Sequence, residues 1–131
     1  MQFQLSATPD EIREAVRLMF TDPNHLKASD PGRVEGNVVF TYLDAFDEEH
    51  IAVEDLKARY IRGGLGDSVV KKRLDDVLQA LLAPIRERRR ALARDPGYVL
   101  QVVKRGTARA RETTDATLRD VRAALGLFVL D

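Results

Sequence analysis

The string Gly63-Gly64-Leu65-Gly66 runs into Asp67 and, four residues later, into Lys71-Lys72, with Arg59 and Arg62 before it and Arg73 after it. A glycine-rich turn that opens a helix leaves backbone N–H groups unpaired, and cations beside them add positive charge, so the pattern suits a phosphate or an RNA loop. It does not suit a nucleoside triphosphate in the usual phosphate loop. The turn follows a helical pattern rather than a strand, and no Gly-Lys-Ser/Thr ending is present. The plain alternative is a helix–helix turn that uses glycine for its positive-φ positions. A second basic run, Arg86 with Arg88, Arg89 and Arg90, covers nearly every direction around one helical turn. Such a run is usually a solvated face, with Glu87, Asp95 and Glu112 near enough in sequence to neutralise part of it. Tyr60 and Tyr98 could stack on a base, although tyrosine at helical spacing more often belongs to a core with its hydroxyl at the rim.

Other chemistry lacks its residues. His25 and His50 are too far apart for the i, i+4 spacing of a zinc helix, and they read as surface histidines. Asp75-Asp76 and Glu48-Glu49 are adjacent, so each pair points to different sides of a helix and cannot share a proton. With no cysteine there is no disulfide, no thiolate metal site and no thiol nucleophile. The N-terminus has no basic region and charges interrupt every apolar run, which argues against a signal peptide and a spanning helix. A soluble protein with a cytoplasmic address is expected. Net charge is zero, but its distribution is not even: residues 1 to 55 carry −8 and residues 56 to 131 carry +8. Opposite halves either face different partners or attract each other within one fold.

At 131 residues, 44% of them hydrophobic, the chain is expected to form one helical domain spanning residues 1 to 131. Thr8-Pro9-Asp10-Glu11 is a capping box with proline at the first helical position, and Ile12, Ala15, Val16 and Met19 follow as one apolar face. This helix should end at Thr21-Asp22-Pro23-Asn24. Residues 24 to 37 are turn-rich and read as a long loop around Asp30-Pro31-Gly32. Asn37 can cap a short apolar helix through Val38 and Phe46, although Val38 to Tyr42 also has strand propensity. Asp47 or Glu48 opens a third helix with Ile51, Leu56, Ala58 and Tyr60 as candidate buried positions, ending at Gly63-Gly64. Asp67 or Ser68 caps a long fourth helix, whose stripe of Val70, Leu74, Val77, Leu78, Leu81, Leu82 and Ile85 should face the core. Pro84 should kink it or split it at Leu82 or Ala83. Asp95-Pro96 starts the last helix, which carries Tyr98, Val102, Val103, Ala110, Leu118, Val121 and Leu125 and stops at Gly126. The fold class is therefore all-α, a bundle of about five to six helices with one long helix kinked near Pro84.

Several strings, read in order, resemble the C-terminal third of bacterial tryptophanyl-tRNA synthetases. They are Thr21-Asp22-Pro23, Ser29 to Asn37, Phe40 to Asp47, Gly63 to Asp67 with Lys71-Lys72, and Leu82 to Arg89, with Ala123-Ala124-Leu125-Gly126-Leu127 at the end. The resemblance implies a helical, anticodon-binding domain of a class I synthetase, without the nucleotide-binding domain that activates tryptophan. No His-Ile-Gly-His-type or Lys-Met-Ser-Lys-Ser-type string occurs, so no ATP site and no catalytic residue is expected, and this chain alone should not be an enzyme. Val38 stands where the family often has proline, and Val69 where it often has a lysine. Some members hold an iron–sulfur cluster on four cysteines, but Tyr60, Asp67 and Val70 lie near those places here. No cluster, other cofactor or metal is expected.

Carried over by the resemblance, the tRNA-binding set is Arg62, Gly63, Gly64, Gly66, Asp67, Lys71 and Lys72. Asp67 would serve as a helix N-cap or as an acceptor for a base amino group, the cap being the commoner role. Lys71 and Lys72 would neutralise phosphates. The expected partners are tRNA-Trp and a synthetase catalytic domain or full-length synthetase subunit, with no membrane, and a homodimer is left open. The alternative is a truncated synthetase relative that has lost tRNA binding and acts as a protein-interaction or regulatory subunit, with its acidic N-terminal half as the interface.

Overall fold

The computed structural model of the protein describes residues 4 to 127. These form five helices and no strand: α1 (Pro9–Arg17), α2 (Val38–Phe46), α3 (His50–Arg62), α4 (Asp67–Ala93) and α5 (Pro96–Ala124). The all-α bundle expected from the periodicity is the observed class. The chain divides into two compact units, residues 1 to 87 and residues 88 to 131.

The first unit is built around the apolar faces of α1 to α4. Ile12 and Val16 from α1, Val39, Phe40 and Leu43 from α2, Val53 and Tyr60 from α3, and Val70, Leu74, Leu78 and Leu82 from α4 form one buried cluster. The starts of α1 and α2 match their local chemistry. Thr8 accepts a hydrogen bond from the Glu11 amide while the Glu11 carboxylate accepts one from the Thr8 amide, which closes the capping box. Asn37 accepts from the Val39 amide and opens α2, so burial of Val39, Phe40 and Leu43 on one helical face overrides the strand propensity of that segment.

Several boundaries differ from expectation. α1 ends at Arg17, and Leu18 to Thr21 leave the helix while Met19 stays buried. α3 starts at His50 rather than at Asp47 or Glu48, because the Asp47 carboxylate instead accepts from the Glu49 amide and takes up Arg73. Ile51 and Ala58 are exposed, and the buried positions of α3 are Val53 and Tyr60, seven residues apart on one face. Leu81 is likewise exposed, so the α4 stripe narrows to the strict four-residue interval of Val70, Leu74, Leu78 and Leu82. Pro84 does not split α4, which runs unbroken through it. Pro84 lies on the exposed side of the helix, where water can satisfy the carbonyl one turn back that its missing N–H leaves unpaired.

In the second unit, Asp95 accepts from the Tyr98 amide and Pro96 takes the first position of α5. Its 29 residues bury no side chain. The helix ends as the sequence implies. Gly126, at φ 63°, donates to the Ala123 carbonyl, and the Leu127 amide donates to Arg122, which together make a Schellman stop.

Candidate nucleic-acid interface

The turn between α3 and α4 is laid against the 24 to 37 loop by backbone bonds. The Gly64 amide donates to the Ala28 carbonyl at 2.7 Å, and the Gly32 amide donates to the Tyr60 carbonyl at 2.9 Å. Gly63 and Gly64 take φ of 86° and 100°, values that disfavour any side chain. At Gly63 a Cβ would also stand 2.5 Å from the Ser29 carbonyl oxygen. Glycine here serves a close backbone crossing as well as a turn. The Gly63 amide, in turn, donates to the Tyr60 carbonyl. Two of the loop amides that could have met an anion are thus used inside the fold.

Asp67 is the first residue of α4 rather than its N-cap. Its carboxylate accepts from the Thr21 hydroxyl at 2.7 Å and from the Tyr60 hydroxyl at 2.7 Å, and the His25 Nδ1 lies 3.1 Å from it. These donors come from outside α4, so Asp67 ties the first turn of the helix to the end of α3 and to the 21 to 25 segment. Burial works against its ionisation. Hydrogen bonds from Tyr60, Thr21 and His25 outweigh that and hold its carboxyl below the usual carboxylate range. Burial, and then the Asp67 carboxylate, push the Tyr60 phenol well above its ordinary pKa, so it remains a donor. Tyr60 is a core residue, its ring edge-on to Phe40 and His25, and is not available to stack on a base.

His25 corrects the reading as a surface histidine, since its side chain is 1% exposed. Its Nδ1 hydrogen faces an ionised carboxylate, which leaves Nε2 buried with no hydrogen-bond partner. The signal was hidden by sequence distance, because its partner Asp67 lies 42 positions away.

The cations sort into structural and available ones. Arg73 grips Asp47 at 2.7 Å and 3.0 Å and reaches Glu49 at 3.0 Å, which raises its own pKa further and holds the Asp47 carboxyl low. Arg86 donates to the Ala7 carbonyl and to Gln79, so the first arginine of the second basic run belongs to the fold. Arg62 is exposed at the end of α3 and makes no hydrogen bond or ion pair with any described residue. Lys71 and Lys72 lie in the first turns of α4. Lys72 pairs with Asp76 across one turn, whereas Lys71 Nζ donates to the Arg17 carbonyl at 2.9 Å, at the C-terminal end of α1.

That bond defines a groove between α1 and α4, about 570 Å³ in volume, lined by Arg13, Val16, Arg17, Asp67, Ser68, Lys71, Lys72 and Asp75. The structure therefore brings Asp67, Lys71 and Lys72 together with two arginines that sequence reasoning passed over. Arg13 and Arg17 were visible only as the charged side of α1; no local pattern says which distant element that side adjoins. Among the described residues no group of histidine and carboxylate side chains is placed to hold a metal ion.

No family model matches the chain. Over 123 residues it is 49% identical to a tryptophan–tRNA ligase of Clostridium longisporum, a match that covers 94% of this chain and 36% of that protein. It is 46% identical over 125 residues to the tryptophan–tRNA ligase of Streptococcus pneumoniae, covering 37% of it. Among solved structures, tryptophanyl-tRNA synthetase from Campylobacter jejuni superposes with a TM-score of 0.77 at 21% identity, over 95% of this chain and 39% of that one. The same enzyme complexed with ADP and tryptophan matches equally well. The chain thus spans little more than a third of the relatives it matches. Sequence identity and the shared helical fold together make it a homologue of one segment of the tryptophan–tRNA ligases.

Proposed function

We propose that the chain is a tRNA-recognition module of the tryptophanyl-tRNA synthetase type, binding the anticodon region of tRNA-Trp and supporting ligation only alongside a catalytic part. The observation that carries this reading is the basic surface around the α3–α4 turn in a homologue of these ligases. Arg62 ends α3, Gly63 to Gly66 bend the backbone, and Lys71 and Lys72 follow in the first turns of α4. Phosphates would be met by Lys71, Lys72 and Arg62 and by the positive end of the α4 dipole. Gly63 and Gly64 shape the approach, since their own amides are occupied. Asp67 supports the turn from within rather than reading a base.

The test is filter binding of tRNA-Trp and an unrelated tRNA at two salt concentrations. Selective binding supports the module. Changing Lys71 and Lys72 together to Ala should weaken binding and reduce the salt slope by up to about two, at about one per phosphate contact. An unchanged slope removes the two lysines from the interface, and absence of tRNA binding removes the reading.

A second reading rests on α5. Val99, Leu100, Val102, Val103, Leu118 and Val121 are exposed on a helix with no buried residue, an apolar surface suited to a protein partner. A synthetase catalytic domain, a full-length synthetase subunit or a second copy would cover it. No helix among the described residues is long and apolar enough to cross a membrane.

A further inference from the structure

The groove between α1 and α4 has a composition that the α3–α4 turn alone does not explain. Four cations, Arg13, Arg17, Lys71 and Lys72, line it against two carboxylates, Asp67 and Asp75. Neither carboxylate is idle. Asp67 is engaged by Thr21, Tyr60 and His25, and Asp75 accepts from Gln79 at 2.9 Å. Arg13 pairs with Asp10 one turn earlier on α1 and reaches the mostly buried Asp75 of α4 at 3.6 Å, and Arg17 pairs with Glu14; the Arg13, Arg17, Asp10 and Glu14 side chains are more than half exposed. Exposed pairs of this kind are worth at most about 1 kcal/mol, so an incoming anion can displace them. Lys71 is anchored through one hydrogen to the Arg17 carbonyl, which leaves two for a ligand. The Ser68 hydroxyl at the start of α4 is exposed and makes no hydrogen bond with the described residues.

We infer that this groove is a phosphate subsite for the RNA backbone, in which Arg13 and Arg17 of α1 work with Lys71, Lys72 and Ser68 of α4. The inference rests on the RNA-binding reading and extends it to a second helix. Forked guanidinium groups suit bidentate phosphate contacts, the lysines act as point charges, and the hydroxyl adds a neutral donor. The groove positions the RNA chain rather than reading its sequence, because none of its cations is directed by an aromatic or amide neighbour that could select a base.

The experiment compares three proteins in tRNA-Trp binding across a salt series: the unchanged chain, R13Q/R17Q, and K27Q/K57Q. The last removes two cations from the same unit outside the groove, and thermal melts verify that all three fold. The subsite predicts that R13Q/R17Q lowers the salt slope by roughly one to two and weakens binding at low salt about tenfold or more, while K27Q/K57Q keeps the slope. An unchanged slope in R13Q/R17Q overturns the subsite while leaving the RNA-binding reading intact. An equal fall in both variants also overturns it, since a general field would then suffice. Absence of binding by the unchanged chain overturns the RNA-binding reading itself, and the subsite with it.

Discussion

Gly32 and Tyr60 show how closely single side chains are fixed around the α3–α4 turn. A Cβ on Gly32 would lie 2.2 Å from the Tyr60 ring, whose hydroxyl is held by Asp67. Gly32→Ala should therefore destabilise the first unit by about 1–3 kcal/mol, read from urea unfolding, because the ring cannot retreat without breaking that bond. Tyr60→Phe should cost a similar amount, about 1–3 kcal/mol, by leaving Asp67 short of a donor. Acid dependence follows from Asp47 and Asp67, both held below the ordinary carboxylate range, Asp47 chiefly by Arg73 and Asp67 by its three donors against the cost of burial. Their contribution is complete above the unfolded-state value near about 4 and disappears as pH falls through the lower folded values. Melting temperature should drop below about pH 4, and D47N/D67N should flatten that limb. Lys71 and Lys72 were legible as candidate ligands because the glycine turn and the helix start are local signals. The contacts of Asp67, His25 and Arg17 were not, since their partners lie 46, 42 and 54 positions away.

At the scale of elements, boundaries set by a local side-chain bond were easier to read than boundaries set by distant partners. Thr8, Asn37 and Asp95 cap α1, α2 and α5 as their side-chain chemistry implies, because a cap bond spans two or three residues and needs no tertiary context. The end of α1 and the start of α3 moved because long-range demands won: Met19 stays in the core after the helix stops, and Asp47 is committed to Arg73. Pro84 illustrates the same competition. Its neighbours Leu78, Leu82 and Ile85 keep α4 helical on the core side while the proline itself is exposed. Replacing Pro84 with Ala restores a backbone donor at a solvent-facing site and should stabilise the protein by about 1–3 kcal/mol, measured by denaturant unfolding at constant m.

Among the described residues, the first unit has a buried core and the second has none. The all-α class and the homology to a synthetase segment were legible because they rest on many short strings in order. The division after residue 87 was not, because the apolar spacing of α5 is as regular as that of a core helix, and periodicity reports an apolar side without naming what covers it. Val103→Lys with Val121→Lys should accordingly change the unfolding free energy of the first unit by less than about 0.5 kcal/mol, as expected for exposed positions. The consequence reaches hydrogen exchange. A lone helix in water is only marginally stable, so the amides of α5 should take up deuterium orders of magnitude faster than those around Leu74, Leu78 and Leu82. A protein that occupies the apolar side of α5 would announce itself by slowing that uptake along the whole helix, even before its identity is known.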